Sequence, residues 1–159
     1  MINRLKNLFI NKKGNDHTSP FSKITFELDP QNSNDLIKLF SILKDNKSDL
    51  NNDLIILTLG ERYKDKFWHP TEEELEVWNK KWLSAANQSD KNFELETEWD
   101  FVSWIEAIEN AEIRYIDISI EGGKGNITLE QLSYPSGGVE ASNYIVELFD
   151  GIVITNTMF

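Results

Sequence analysis

Residues 116–129 read Ile-Asp-Ile-Ser-Ile-Glu-Gly-Gly-Lys-Gly-Asn-Ile-Thr-Leu, and this stretch decides the fold. Ile116, Ile118 and Ile120 alternate with Asp117, Ser119 and Glu121. Beyond the glycines, Ile127 and Leu129 alternate again. Period two puts one side of each segment in a core, and a glycine-rich connection turns the chain back on itself. The pattern predicts an antiparallel β-hairpin. Leu132 and Tyr134 fall out of phase with Ile127 and Leu129, which predicts a bulge near Glu130-Gln131. After Tyr-Pro-Ser-Gly-Gly, a helix is expected with Ala141, Ile145, Leu148 and Phe149 inward and Gly151 at its C′ position. Ile152-Val153-Ile154 then reads as a final strand.

Working towards the N-terminus, two tryptophan-rich helices are expected. Thr71 and Glu74 have the spacing of a capping box, and Leu75, Trp78, Trp82 and Ala85 or Ala86 make an apolar stripe expected to be buried. A second helix is expected to start near Thr97, with Phe101, Trp104, Ile105, Ile108 and Ala111 on one face. Earlier still, Ile24, Phe26 and Leu28 alternate as in a strand. Leu36, Leu39, Phe40 and Leu43 form a helical stripe, and Leu54–Leu59 is a continuous apolar run read as a buried strand closed by Gly60. The order is β-α-β, two inserted helices, then β-β-α-β. The expected architecture is α+β over residues 1–159, one domain with one mostly antiparallel sheet and helices mainly on one face. Residues 1–20 form an appendage to it. Ile2, Leu5 and Phe9 there suit a short basic amphipathic helix, and residues 14–20 a loop.

Composition narrows function by exclusion. The chain has 159 residues, 40% of them hydrophobic, and no cysteine. Disulfides, thiolate metal sites and cysteine nucleophiles are therefore absent. His17 and His69 are the only imidazoles, and both fall in loops without an orienting partner in the sequence. Sixteen Lys and Arg against 27 Asp and Glu give a net charge of −11. That argues against nucleic acid as a partner, which requires positive charge to displace counterions. No apolar stretch approaches the roughly 20 residues of a membrane span, and Leu8-Phe9-Ile10 is too short for a secretory signal. No membrane partner and a cytoplasmic location are the expectations.

Local motifs fail as catalytic signatures. Gly122-Gly123-Lys124-Gly125 leads into a strand and not a helix, so it lacks the setting of a phosphate loop. Gly137-Gly138 precedes a helix, but Glu140 in its first turn would repel an anion. Ser136 has Pro135 in front of it, and the glycine arrangement of a nucleophile elbow is missing. No catalytic residue, metal ligand or cofactor is assigned.

Charge is unevenly distributed. Residues 1–23 carry Arg4, Lys6, Lys12, Lys13 and Lys23 against Asp16. Residues 90–121 carry Asp90, Glu94, Glu96, Glu98, Asp100, Glu106, Glu109, Glu112, Asp117 and Glu121 against Lys91 and Arg114. Acids concentrated this way, interleaved with Trp99 and Trp104, suit a docking face for a basic partner, since complementary potential speeds encounter and aromatic anchors hold it. The partner-binding set is Glu94, Glu96, Glu98, Trp99, Asp100, Glu106, Glu109 and Glu112.

In its small size, acidity and lack of a catalytic set, and in the run 134–154, YPSGGVEASNYIVELFDGIVI, the chain resembles bacterial immunity proteins of contact-dependent inhibition and polymorphic-toxin systems. The resemblance implies a cytoplasmic inhibitor, not an enzyme, that occludes a cognate protein toxin, often a basic nuclease. Two other classes fit the same residues: an adaptor module with a different protein partner, and a carboxylate- or metal-dependent enzyme.

Overall fold

The computed structural model describes residues 20–47, 50, 52–87, 99–133 and 138–158. It is α+β, with four strands in one antiparallel sheet ordered β2-β3-β1-β4. The strands are β1 (Phe21–Glu27), β2 (Ile113–Glu121), β3 (Lys124–Gln131) and β4 (Ile152–Asn156). The helices are α1 (Ser33–Asn46), α2 (Asn52–Leu59), α3 (Glu72–Asn87), α4 (Phe101–Asn110) and α5 (Gly138–Glu147). The chain divides into two compact units. Of the described residues, Trp68–Asn87 and Trp99 belong to one, and the rest, including the sheet, belong to the other.

In the larger unit the expected hairpin is formed. Gly122 and Gly123 occupy its two-residue turn with φ of 57° and 80°, the left-handed pair that matches strand twist. Ile24, Phe26, Ile127, Leu129, Ile113 and Tyr115 face the core. Leu36, Leu39, Phe40 and Leu43 of α1 bury their stripe, and the Phe40 ring meets Tyr115 edge-on at 6.0 Å. Tyr115 also shares a hydrogen bond with Ser142 of α5 (3.4 Å). The helices that meet the sheet here therefore do so on its apolar face. The opposite face is mixed: Thr25 bonds Thr155 across β1 and β4 (2.6 Å), Asn126 donates to Ser119 across β3 and β2 (3.1 Å), and Phe21 and Ile152 are exposed there.

Four details correct the sequence reading. Residues 54–59 are helical, not a strand. A continuous apolar run has no period to decide between the two, but Ile55 is 4% exposed and Leu57 is 85% exposed. A strand would put these two on one side, whereas a helix turns them about 200° apart. The bulge near Glu130-Gln131 is absent, because β3 pairs without interruption to Gln131. The irregularity lies opposite, in β2 between Tyr115 and Asp117, and a second lies where β4 meets β1 at Thr25/Phe26.

At the end of α5, the left-handed residue is Asp150 (φ 58°) and not Gly151. Gly151 is required for space, since a Cβ there would sit 2.5 Å from Val146 Cγ1 and 2.9 Å from the Val146 carbonyl oxygen. Finally, the α3 stripe is not buried as expected: Leu75 and Trp82 are 43% and 45% exposed. The capping box that starts α3 is present as predicted, with Thr71 N–H donating to Glu74 Oε2 (2.8 Å) and Glu74 N–H to Thr71 Oγ1 (3.2 Å).

Candidate interaction surface

Of the described acids in residues 90–121, helix α4 carries Glu106 and Glu109, Asp100 and Glu112 border it, and Asp117 and Glu121 lie on β2. Helix α4 begins one turn later than expected, at Phe101, because Asp100 caps it by accepting the Ser103 N–H (3.0 Å). Its inner face holds Trp104, Ile105 and Ile108, all buried. Trp104 is fully enclosed, its Nε1–H donating to the Ala141 carbonyl (3.0 Å), with the Phe67 ring 5.5 Å away. The indole is thus a core anchor and cannot touch a partner. With its buried stripe locked between α5 and Phe67, α4 presents its other face in a fixed orientation.

That outward face carries Val102, Ser103, Glu106 and Asn110, all exposed, and the half-buried Glu109. Val102 and Glu106 are four residues apart and Glu106 and Glu109 three, so they are neighbours on the helix surface. Val102 is 64% exposed, an apolar residue one turn from the Glu106 carboxylate. Glu112 is exposed just before β2. Beside it, Lys47 at the end of α1 donates from Nζ to the carbonyls of Ala111 and Ile113 (2.8 Å to the latter). Loss of solvent pulls the Lys47 ammonium below its ordinary pKa, and the Glu112 charge acts against that shift.

The expected partner-binding residues therefore separate. Glu106 and Glu109 share one helix face. Asp100 holds the helix cap, and Glu112 sits beside a cation. Trp99 is half-buried in the smaller unit, where its carbonyl accepts the Trp68 N–H (2.8 Å). Glu94, Glu96 and Glu98 lie outside the described residues, as do Thr97, His17, Ser136, Gly137 and the N-terminal segment. Gly138 is packed so tightly that a Cβ would lie 2.7 Å from Ala111 Cβ, which accounts for a glycine there by packing.

Two residues of this surface escape a sequence reading built on charge. Val102 could have been found, since it lies off the Trp104–Ile105–Ile108 stripe of its own helix. Lys47 could not, because 64 residues of chain separate it from the carbonyl of Ala111.

Among the described residues no group of three or more His, Asp or Glu side chains is arranged to hold a metal ion. No described helix is long and apolar enough to cross a membrane. No protein-family model matches the chain, and no curated protein and no solved structure matches it.

Proposed function

We propose that the chain works by binding: an immunity protein of the cytoplasm that occludes a basic, nuclease-type toxin domain with an acidic surface. The observation that supports this reading is the outward face of α4, where an exposed Val102 is followed along the same face by Glu106 and Glu109 on a helix anchored by buried Trp104. In a chain of net charge −11, such a face attracts a cationic surface from a distance and offers an apolar contact on arrival. Rigid presentation lowers the ordering cost of association. Asp100 and Glu112 contribute to the field without leaving their structural partners.

The test is co-expression with the toxic domain encoded by the neighbouring reading frame. The wild-type chain is expected to restore growth and to co-purify with that domain. The E106K/E109K variant is expected to fold, by circular dichroism, but to lose protection. Full protection by the folded double variant would overturn the assignment to α4. Failure of the wild-type chain both to protect and to bind would overturn the immunity reading itself.

A further inference from the structure

From Glu72 to Ser84, every residue of α3 but the half-buried Trp78 is exposed, apolar ones included. Leu75 and Trp82 are nearly half exposed, and Leu83 is 55% exposed. At about 100° of rotation per residue, Trp78, Trp82, Leu75 and Leu83 fall within an arc of about 140°. An apolar arc of that width is the packing face of a helix. These side chains stay exposed in the complete chain, so their cover comes from another molecule.

Charge identifies that molecule and its direction. Glu76 and Lys80 flank the arc on one side, and Glu74 and Lys81 on the other. Each flank is acidic towards the start of the helix and basic towards its end, which makes α3 complementary to a reversed copy of itself. A two-fold axis between Trp78 and Asn79 sets Leu75 against Trp82 of the second copy and the two Trp78 side chains together. The same axis brings Glu76 to Lys80 and Glu74 to Lys81 across the pair, twice each. A parallel pair would set Glu76 beside Glu74 and Lys80 beside Lys81, like charge on like charge. The Glu76–Lys80 bridge within the helix (2.8 Å) lies at the surface and is worth little, so exchanging it for a bridge between copies costs little. Glu74 accepts the Thr71 N–H on one oxygen, which leaves its second oxygen for Lys81 of the other copy.

We propose that two copies of this chain associate through α3, antiparallel about a two-fold axis near Trp78, as a reversible dimer. One pair of helices ~24 Å long buries less surface than a permanent interface does. The net charge of −11 on each chain also opposes approach, so the dimer is weak and concentration-dependent. This does not depend on the toxin-binding reading, whose residues lie on α4.

The experiment uses the full chain. Sedimentation equilibrium at physiological salt, from micromolar to millimolar concentration, is expected to show monomer and dimer in exchange. Leu75→Asp/Trp82→Asp is expected to keep its fold by circular dichroism, since both side chains are exposed, and to sediment as a monomer. Glu76→Lys and Lys80→Glu each turn two attractions into two repulsions and should weaken the dimer about tenfold. An equimolar mixture of those two variants is expected to restore it, because each supplies the charge that the other lacks. The chain has no cysteine, so Asn79→Cys and Glu72→Cys report direction: oxidation is expected to link two copies through position 79, beside the axis, and not through position 72. A wild-type chain monomeric at millimolar concentration, or a folded Leu75→Asp/Trp82→Asp variant that still dimerises, would overturn the interface. Failure of the mixture to associate, or linking at position 72 as fast as at position 79, would overturn the antiparallel arrangement.

Discussion

Gly125 has no room for a methyl group. A Cβ there would lie 2.5 Å from Phe26 Cζ and 2.8 Å from the Ser119 carbonyl oxygen. Gly125→Ala is therefore expected to cost about 1–3 kcal/mol through overpacking, read as a lower urea midpoint with an unchanged slope. Gly122, by contrast, has open space around it but a φ of 57°, so Gly122→Ala carries only left-handed strain, about 1–2 kcal/mol. The string GGKG announces a turn, but nothing in it says which glycine bends the chain and which admits a ring. Tyr115 gives a second prediction. Full burial raises its phenol well above the ordinary pKa, and the Ser142 hydrogen bond opposes that rise only in part. Above about pH 10 the unfolded phenol ionises while the folded one does not, so the unfolded chain binds fewer protons. Stability is complete below that pH and falls by about 1.4 kcal/mol per pH unit above it. Tyr115→Phe should lose this component of the alkaline slope, while costing about 1 kcal/mol at pH 7 for the unpartnered Ser142 hydroxyl. Urea midpoints of both proteins between pH 8 and 11 check it; parallel curves would contradict it.

At the scale of elements, periodicity served best where burial is one-sided. The strands β1 and β3 and the stripes of α1, α4 and α5 are legible because each alternates between core and solvent, whereas in β2 the buried residues are Ile113 and Tyr115 and the expected Ile116, Ile118 and Ile120 are only half-buried. Helix α2 is not legible, since Leu54–Leu59 is apolar at every position but Thr58 and only the fold shows Leu57 facing solvent. A direct check compares Ile55→Ala with Leu57→Ala. The first should cost about 2–4 kcal/mol as a buried truncation, the second within about 0.5 kcal/mol as an exposed one. Equal losses would restore the strand. The helix caps also separate. The Thr71/Glu74 box is visible from its spacing, whereas Asp100 stands in a charge cluster in the sequence and proves to be a cap. Asp100→Ala should destabilise the larger unit by about 1 kcal/mol, measured by thermal or urea unfolding, and Asp100→Asn should recover most of it. This is why Asp100 is kept out of the charge-reversal variants.

For the whole molecule, composition spoke to chemistry more than to geometry. Lack of cysteine and scarcity of histidine narrowed the reactions available, and the net charge pointed to a cationic partner. Sheet order β2-β3-β1-β4 places β1, from the start of the described chain, between β3 and β4 from its end. No local pattern encodes that long-range pairing. The acidic surface was legible as a segment but not as a face: of the eight residues expected to bind, Glu106 and Glu109 are the pair the described structure sets side by side on α4. Their role can be read from kinetics. Under the proposed reading, stopped-flow association with a basic, nuclease-type toxin domain, followed from low to physiological salt, is the most direct measurement. The account predicts a wild-type rate constant that falls steeply as salt rises, and an E106K/E109K rate at least tenfold slower at low salt with a much flatter dependence. Equal rates for the two proteins at low salt would contradict it.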